Sequence, residues 1–249
     1  MSVVILVAIV AVMLVAWLTT IEQAKAMHNM AMGLGQLGSG GQSEMGAVAF
    51  QTMWIAMMTA MMLPTIAPVV IAHYAVALRR NDGALSTPAF VAGYLMVWWA
   101  IGIVMWLGYS AFAQWDASGA PPHWLYLLAG EILVLAGAYQ FSRWKRLCAD
   151  MCRSPLAFIF KHDSRRGVVN ALGAGMMHGL YCLGCCWAAM MVRVVVGLMN
   201  LSWMTILFVL FFVEKNWKHG RAVANVAGIG LMVLGPAIPA YRTLLTLST

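Results

Sequence analysis

Seven apolar segments follow one another along this chain, and most are as long as the hydrocarbon core of a bilayer is thick. A helix rises about 1.5 Å per residue, so about 20 apolar residues are needed to cross that core. Apolar residues make up 63% of the chain and charged residues 9%, whereas soluble domains carry about 25% charged residues. We therefore predict an all-α, polytopic transmembrane helix bundle with about seven spans, or six if the short sixth segment is re-entrant. The segments are 3–19, 47–78, 88–113, 123–141, 168–196, 201–214 and 222–241.

The basic residues are concentrated in three of the loops between these segments. If the N-terminus lies inside, the loops at 79–87, 142–167 and 215–221 are cytoplasmic, and they carry 12 of the 15 Lys and Arg residues. Because Lys and Arg accumulate on the cytoplasmic side, this distribution predicts an N-in, C-out topology. It also accounts for the net charge of +7 without nucleic acid as a partner. The twelve residues are Arg79, Arg80, Arg143, Lys145, Arg146, Arg153, Lys161, Arg165, Arg166, Lys215, Lys218 and Arg221.

The fifth segment contains a histidine and three cysteines at helical spacing. His178, Cys182, Cys185 and Cys186 fall within about one 100° face of a helix, so their side chains can converge. Thiolate is a soft donor that favours copper(I), zinc or an iron–sulfur centre, and imidazole suits copper and zinc. The alternative is that the cysteines pack in an apolar interior while the histidine bonds to another helix. We interpret the cluster as a metal site, because ionisable groups are costly at this depth.

The second segment carries a stripe of methionines on one helical face. Met53, Met57 and Met61 are spaced four residues apart, and Pro64 follows them. Thioether is a weak, soft ligand that binds copper(I) without losing a proton. Such a stripe also serves as adaptable packing. Counting residues from the membrane edges places Met57 and Met61 near the middle of the bilayer, so they are candidate ligands beside the cysteines.

Two cysteines also occur in the basic loop at 142–167. Cys148 and Cys152 are four residues apart in a segment that can form a short interfacial helix ending before Pro155. Such a pair can hold a metal ion or form a reversible disulfide. Two ligands do not complete a zinc site, so zinc would need a further donor such as His162 or another chain. The alternative is a loop whose arginines contact lipid phosphates.

We predict one membrane domain over residues 1–249, with an outer Met- and Gly-rich loop at 20–46. In that loop Met27, His28 and Met30 precede a glycine-rich run. Methionine can bind copper(I) in an oxidising compartment without being lost to disulfides. Packing at the membrane interface is the other interpretation of these residues.

Two acidic residues lie in or beside the predicted spans. Glu131 is about 12 Å into the fourth segment, where a carboxyl group must be paired, protonated or bound to a cation. It is the candidate for a proton relay or counter-charge, although a neutral carboxyl bonded to a neighbouring helix is an alternative. Glu214 adjoins Lys215 and Lys218 at a membrane edge, which is typical of an interfacial ion pair.

Several separate motifs resemble a bacterial family of uncharacterised, predicted metal-binding integral membrane proteins. The resemblance covers most of the chain and implies a helical fold and metal binding in the bacterial cytoplasmic (inner) membrane. The motifs are Met53-Trp-Ile-Ala-Met-Met-Thr-Ala-Met-Met-Leu-Pro64, Tyr139-Gln140 followed by Lys145, Cys148, Cys152 and Pro155, Gly179-Leu-Tyr-Cys-Leu-Gly-Cys-Cys-Trp187, Met199-Asn-Leu-Ser-Trp-Met204, and Glu214-Lys215.

These patterns together predict a membrane protein that binds and transfers a soft metal ion, most plainly copper(I), for transport or for delivery to a partner membrane enzyme. The partners expected are the lipid bilayer and either a copper-dependent membrane enzyme complex or further copies of the chain. We identify no catalytic residue, because the sequence has neither a Ser/His/Asp set nor a phosphate-binding glycine loop. Two alternatives remain: a metal-free accessory subunit of a membrane oxidase or monooxygenase, and a thiol–disulfide redox protein.

Overall fold

A computed structural model describes residues 2–26, 46–115, 123–163, 166–196 and 201–247. These residues form α-helices joined by short turns, and they include no β-strand. The prediction of an all-α helical bundle is therefore confirmed. The helices are α1 (Ser2–Ala26), α2 (Ala47–Met62), α3 (Ala67–Arg80), α4 (Ser86–Trp115), α5 (His123–Tyr139), α6 (Arg143–Arg153), α7 (Pro155–His162), α8 (Val168–Val196), α9 (Leu201–Asn216) and α10 (Gly220–Leu247).

Five of the predicted spans are long and apolar enough to cross a membrane. The fourth and sixth predicted spans correspond to shorter helices, α5 with 17 residues and α9 with 16 residues. At about 1.5 Å per residue these two helices are about 24–26 Å long, slightly less than the hydrocarbon core. The five longer segments are Val7–Ala24, Ala47–Arg80, Ser86–Gly108, Val168–Arg193 and Gly220–Ala237.

The second span is a broken helix rather than a continuous one. Helix α2 ends at Met62, a 3-10 turn follows over Pro64–Ile66, and α3 begins at Ala67. Proline lacks an N–H group and clashes with the preceding turn, so an α-helix cannot pass through Pro64 undisturbed. The Thr65 hydroxyl donates a 2.8 Å hydrogen bond to the carbonyl of Met62, which satisfies an acceptor at the break.

The described residues fall into two compact units. The first lies within Met1–Gln23, Met45–Leu107 and Arg146–Cys185, and the second lies within Ala24–Glu44, Gly108–Lys145 and Cys186–Thr249. The first unit contains the broken span, α4 as far as Leu107, α6 from Arg146 onwards, α7, and α8 as far as Cys185. In the second unit, the main helix pair is formed by α5 and α10.

Glycines allow α4 and α8 to pack closely within the first unit. A Cβ atom on Gly93 would lie 2.1 Å from the carbonyl oxygen of Leu172, and one on Gly175 would lie 2.0 Å from that of Phe90. Any side chain at these two positions would collide with backbone. Small residues at such crossings are the usual means by which helices approach each other in membranes.

A buried polar cluster lies in the first unit, where α3 and α7 meet. The His73 ring, which is fully buried, lies 3.4 Å from the Asp163 carboxylate and 3.1 Å from the Thr87 hydroxyl. Asn170 donates a 2.6 Å hydrogen bond to the same carboxylate, and Arg80 lies 3.6 Å from it. Burial raises the pKa of Asp163, and the neighbouring His73 opposes that shift.

Candidate metal site

Three cysteines of α8 form a compact group of buried thiols. The sulfur atoms of Cys182, Cys185 and Cys186 all lie within 4.8 Å of one another, and each residue is at most 3% exposed. Helical spacing produces this arrangement, since residues three and four apart share one face. We call this group the α8 triad. All three cysteines are free thiols, so their sulfur atoms are available as ligands.

The two cysteines of α6 lie against the same part of α8. A Cβ atom on Gly184 would be 2.6 Å from the Cys148 sulfur, so that thiol rests directly on the helix backbone. Side-chain hydrogen bonding with Cys182 and Cys185, together with burial, raises the pKa of the Cys152 thiol well above its usual value. Burial also raises the pKa of Cys148, and nearby Cys185 adds to the shift.

The structure therefore brings together cysteines from two of the predicted sites. The sequence placed Cys148 and Cys152 in a cytoplasmic loop and the triad near the middle of the bilayer. In the structure, α6 lies close enough to α8 for Cys148 and Cys152 to be neighbours of Cys182 and Cys185. Gly184 has no side chain, which allows α6 to approach α8. In the sequence, this glycine is the feature that could have indicated the contact.

A tyrosine that the sequence did not single out contacts the triad. The Tyr94 hydroxyl of α4 lies 3.2 Å from the Cys182 sulfur, and both residues are fully buried. The Cys185 thiol donates a 3.1 Å hydrogen bond to the carbonyl of Cys182. When Cys182 is a thiolate, the Tyr94 hydroxyl must be the donor, because a thiolate has no proton to give. Such a charge-assisted bond would hold the sulfur in its ligand form.

His178 lies on α8 one turn before Cys182, but aromatic rings surround it. Its ring centroid is 4.7 Å from that of Phe158 and 6.0 Å from those of Phe90 and Tyr94. Among the residues that the structure describes, the group of ligand atoms within 4.8 Å of one another contains the three cysteines and not this imidazole. His178 therefore packs beside the site in the present arrangement.

The other predicted ligands have different surroundings. Met57 and Met61 are fully buried in the first unit. Glu131, in the second unit, is exposed on α5 and lines a cavity of about 300 Å³ together with Gly235 and Pro236 of α10. The predicted outer-loop ligands lie outside the described residues, and they are Met27, His28 and Met30.

A buried ion pair in the second unit joins residues from separate motifs. The Lys145 ammonium group lies 2.7 Å from the Glu214 carboxylate, and both side chains are at most 7% exposed. Lys145 also donates a hydrogen bond to the side-chain oxygen of Gln140. The partner of Glu214 in this pair is thus the lysine at the border of α6, which the sequence did not indicate as its partner. The additional hydrogen bond satisfies a further proton of the buried ammonium group.

Comparison with known proteins identifies a family for most of the chain. The family model described as PpoB2, a copper chaperone, matches residues 51–238, which include all five cysteines. No curated protein and no solved structure gave a significant match.

Proposed function

Because the chain belongs to the PpoB2 copper chaperone family, we propose that it binds copper(I) in the α8 triad and transfers the ion at the membrane. The observation that carries this proposal is the group of three buried sulfur atoms within 4.8 Å of one another. With metal–sulfur bonds of about 2.3 Å, three sulfurs around one ion lie about 4 Å apart. Small rotations of the side chains would therefore complete the coordination.

The chemistry of the site favours copper(I) over harder ions. Thiolate and thioether ligands select soft ions, and the triad offers only sulfur. A singly charged ion also costs less to remove from water than a doubly charged one, which matters at fully buried positions. Met57 and Met61 are proposed as additional thioether ligands because both are buried in the same unit as Cys182 and Cys185.

The ion would be passed to a partner or across the membrane, in keeping with the chaperone family. We place the protein in the bacterial inner membrane, and five helices long and apolar enough to span support a membrane location. A copper-dependent membrane enzyme is the recipient that we propose. Met27, His28 and Met30 would offer a further soft site on the outer side, and Glu131 would supply a counter-charge.

Element-resolved metal analysis of the detergent-purified protein tests the proposal. Cells are grown with added copper, and purification is carried out under reducing conditions. We expect about one or more copper ions per chain in the wild type, and little or none in the Cys182→Ala/Cys185→Ala/Cys186→Ala variant, because three sulfur ligands are lost together.

A matched control uses the exposed methionines of the same helix. Met176 and Met177 are 40% and 38% exposed, so the Met176→Ala/Met177→Ala variant should retain its copper. Absence of copper from the wild type would contradict the proposal. In that case, stable copurification with a larger enzyme would instead support a metal-free accessory subunit.

A further inference from the structure

We propose that Cys148 and Cys152 of α6 belong to the same copper site as the α8 triad, and that Cys148 is the ligand through which copper(I) enters and leaves. This inference rests on the proposed function, and it adds a point of exchange to the site. The two metal sites that the sequence predicted separately would then be one site lined by five thiols.

The contacts between α6 and α8 support a shared site. The Cys148 sulfur lies over Gly184, between Cys182 and Cys185 in the sequence of α8. Cys152 is one turn further along α6 and is buried, and the neighbouring thiols of Cys182 and Cys185 raise its pKa. An ion bound by the triad would therefore have sulfur atoms of α6 close by.

The five thiols differ in their access to solvent. Cys148 is half-buried, whereas the other four cysteines are buried, with exposures of 6% or less. A ligand or carrier approaching from water can therefore reach Cys148 before any other sulfur of the group. The exposed fraction of the cysteines thus decreases from Cys148 to Cys152 to the triad, and we propose that the ion moves inward in this order.

The composition of α6 places this entry point at the water side of the protein. The helix carries charged residues on both sides of Cys148, and among them Arg143 and Arg146 are exposed. Charged side chains avoid the hydrocarbon region, so α6 belongs at a polar boundary. Leu147, immediately before Cys148, is 61% exposed, which shows that the helix face beside the thiol is open.

The transfer step is a ligand exchange without any change of oxidation state. Cys148 loses its proton and forms a Cu–S bond to copper(I) held by a sulfur-containing carrier, and the carrier's Cu–S bond then breaks. The departing thiolate of the carrier takes up a proton, so protons and charge balance. The same step then repeats from Cys148 to Cys152 and on to the triad. Thiolate is the reacting form at each stage.

Release kinetics from the full-length protein test this assignment. The copper-loaded protein is mixed with an excess of a water-soluble copper(I) chelator, and the coloured complex is followed by stopped flow. We expect the Cys148→Ser variant to retain the same copper content as the wild type and to release it at least tenfold more slowly. The loss of the accessible sulfur removes the exchange ligand but leaves the buried ligands.

Two further variants make the test specific. Leu147→Ser changes the neighbouring exposed side chain and should release copper at the wild-type rate. Gly184→Ala places a methyl group 2.6 Å from the present position of the Cys148 sulfur and so pushes that sulfur away from α8, which should slow release without replacing any thiol. Thermal unfolding of each variant verifies that it is folded.

The outcomes separate this inference from the proposed function. If the wild type binds copper and Cys148→Ser releases it as fast or faster, Cys148 is not the exchange ligand, although the copper function stands. If Cys148→Ser binds no copper at all, the cysteine is an essential holding ligand and the exchange role is overturned. If the wild type binds no copper, the proposed function fails, and this inference fails with it.

Discussion

At the scale of single residues, the Tyr94 hydroxyl is the group most directly placed to tune the proposed copper ligands. It lies 3.2 Å from the Cys182 sulfur in a fully buried position. A hydrogen bond to a charged group contributes about 1.5–3 kcal/mol. We therefore expect Tyr94→Phe to weaken copper(I) binding by about 10- to 100-fold, measured by competition with a chelator of known affinity.

A second tyrosine provides the control for this prediction. The Tyr181 hydroxyl lies 3.4 Å from the His162 ring and belongs to an aromatic cluster with Phe158. Tyr181→Phe removes the same hydroxyl group from beside the His162 ring rather than from a triad sulfur, so copper affinity should remain unchanged. Equal affinities for the wild type and Tyr94→Phe would show that the hydroxyl does not act on the thiolate.

The sequence predicts the ligand residues of α8 better than it predicts their neighbours. Helical spacing alone brings Cys182, Cys185 and Cys186 to one face, because that geometry is local. Tyr94 lies 88 positions away from Cys182 in the chain, and no local pattern indicates such a contact. His178 shares the helical face of the cysteines, yet its ring packs among aromatic side chains that other helices provide.

At the scale of helices, the crossing of α4 and α8 depends on a glycine without space for a side chain. A Cβ atom on Gly175 would lie 2.0 Å from the Phe90 carbonyl oxygen. Rotation of a side chain cannot relieve a clash with a backbone carbonyl, so Gly175→Ala must separate the two helices. We expect a marked loss of folded protein, measured as a lower thermal midpoint and reduced recovery from size-exclusion chromatography.

The same helix offers a matched glycine in open space. A Cβ atom on Gly173 would have no neighbour within 4 Å. Because alanine favours helix by up to about 1 kcal/mol over glycine, Gly173→Ala should be neutral or slightly stabilising. Similar behaviour of the two variants would mean that helix propensity, rather than the α4–α8 contact, governs the effect.

The buried pair of Lys145 and Glu214 gives a second prediction at this scale. Removing one partner leaves an uncompensated buried charge, which typically costs about 3–5 kcal/mol. Lys145→Met should therefore lower the thermal midpoint substantially. The double variant Lys145→Met/Glu214→Met should recover most of the loss, because neither member of the pair then leaves the other as an uncompensated buried charge. Circular dichroism of the detergent-purified variants measures both effects.

An exposed lysine of the same region controls for the loss of positive charge. Lys218 is exposed beyond the end of α9, so Lys218→Met should change the midpoint by little. If Lys145→Met behaves like Lys218→Met, the pair does not contribute to stability. If the double variant is as unstable as the single one, the side chains matter for packing rather than for charge.

Apolar length and turn residues in the sequence predict where the helices lie, but not which helices touch. The predicted break before Pro155 separates α6 from α7, and Pro64 interrupts the second span, because proline acts on its own turn. The approach of α6 to α8 depends on tertiary packing at Gly184. The cysteines of these two helices were therefore predicted as separate sites.

At the scale of the whole molecule, the side on which α6 lies depends on whether α5 crosses the membrane. With all seven predicted spans crossing, region 142–167 is cytoplasmic. With only the five longer segments crossing, that region and its seven basic residues would lie outside. The positive-inside rule opposes such an arrangement. A mismatch of a few Å costs only fractions of a kcal/mol per Å, so the short helices can still span.

We therefore predict that the turn between α7 and α8 is cytoplasmic. Epitope tags are inserted singly at Gly83 and Gly167, and antibody access is compared in intact and permeabilised spheroplasts. Both tags should be reached only after permeabilisation, whereas a tag in the predicted outer loop at 114–122 should be reached in intact cells. Access to the Gly167 tag alone in intact spheroplasts would mean that α5 does not cross. Cys148 would then exchange copper with the outer compartment, and a periplasmic carrier would be its partner.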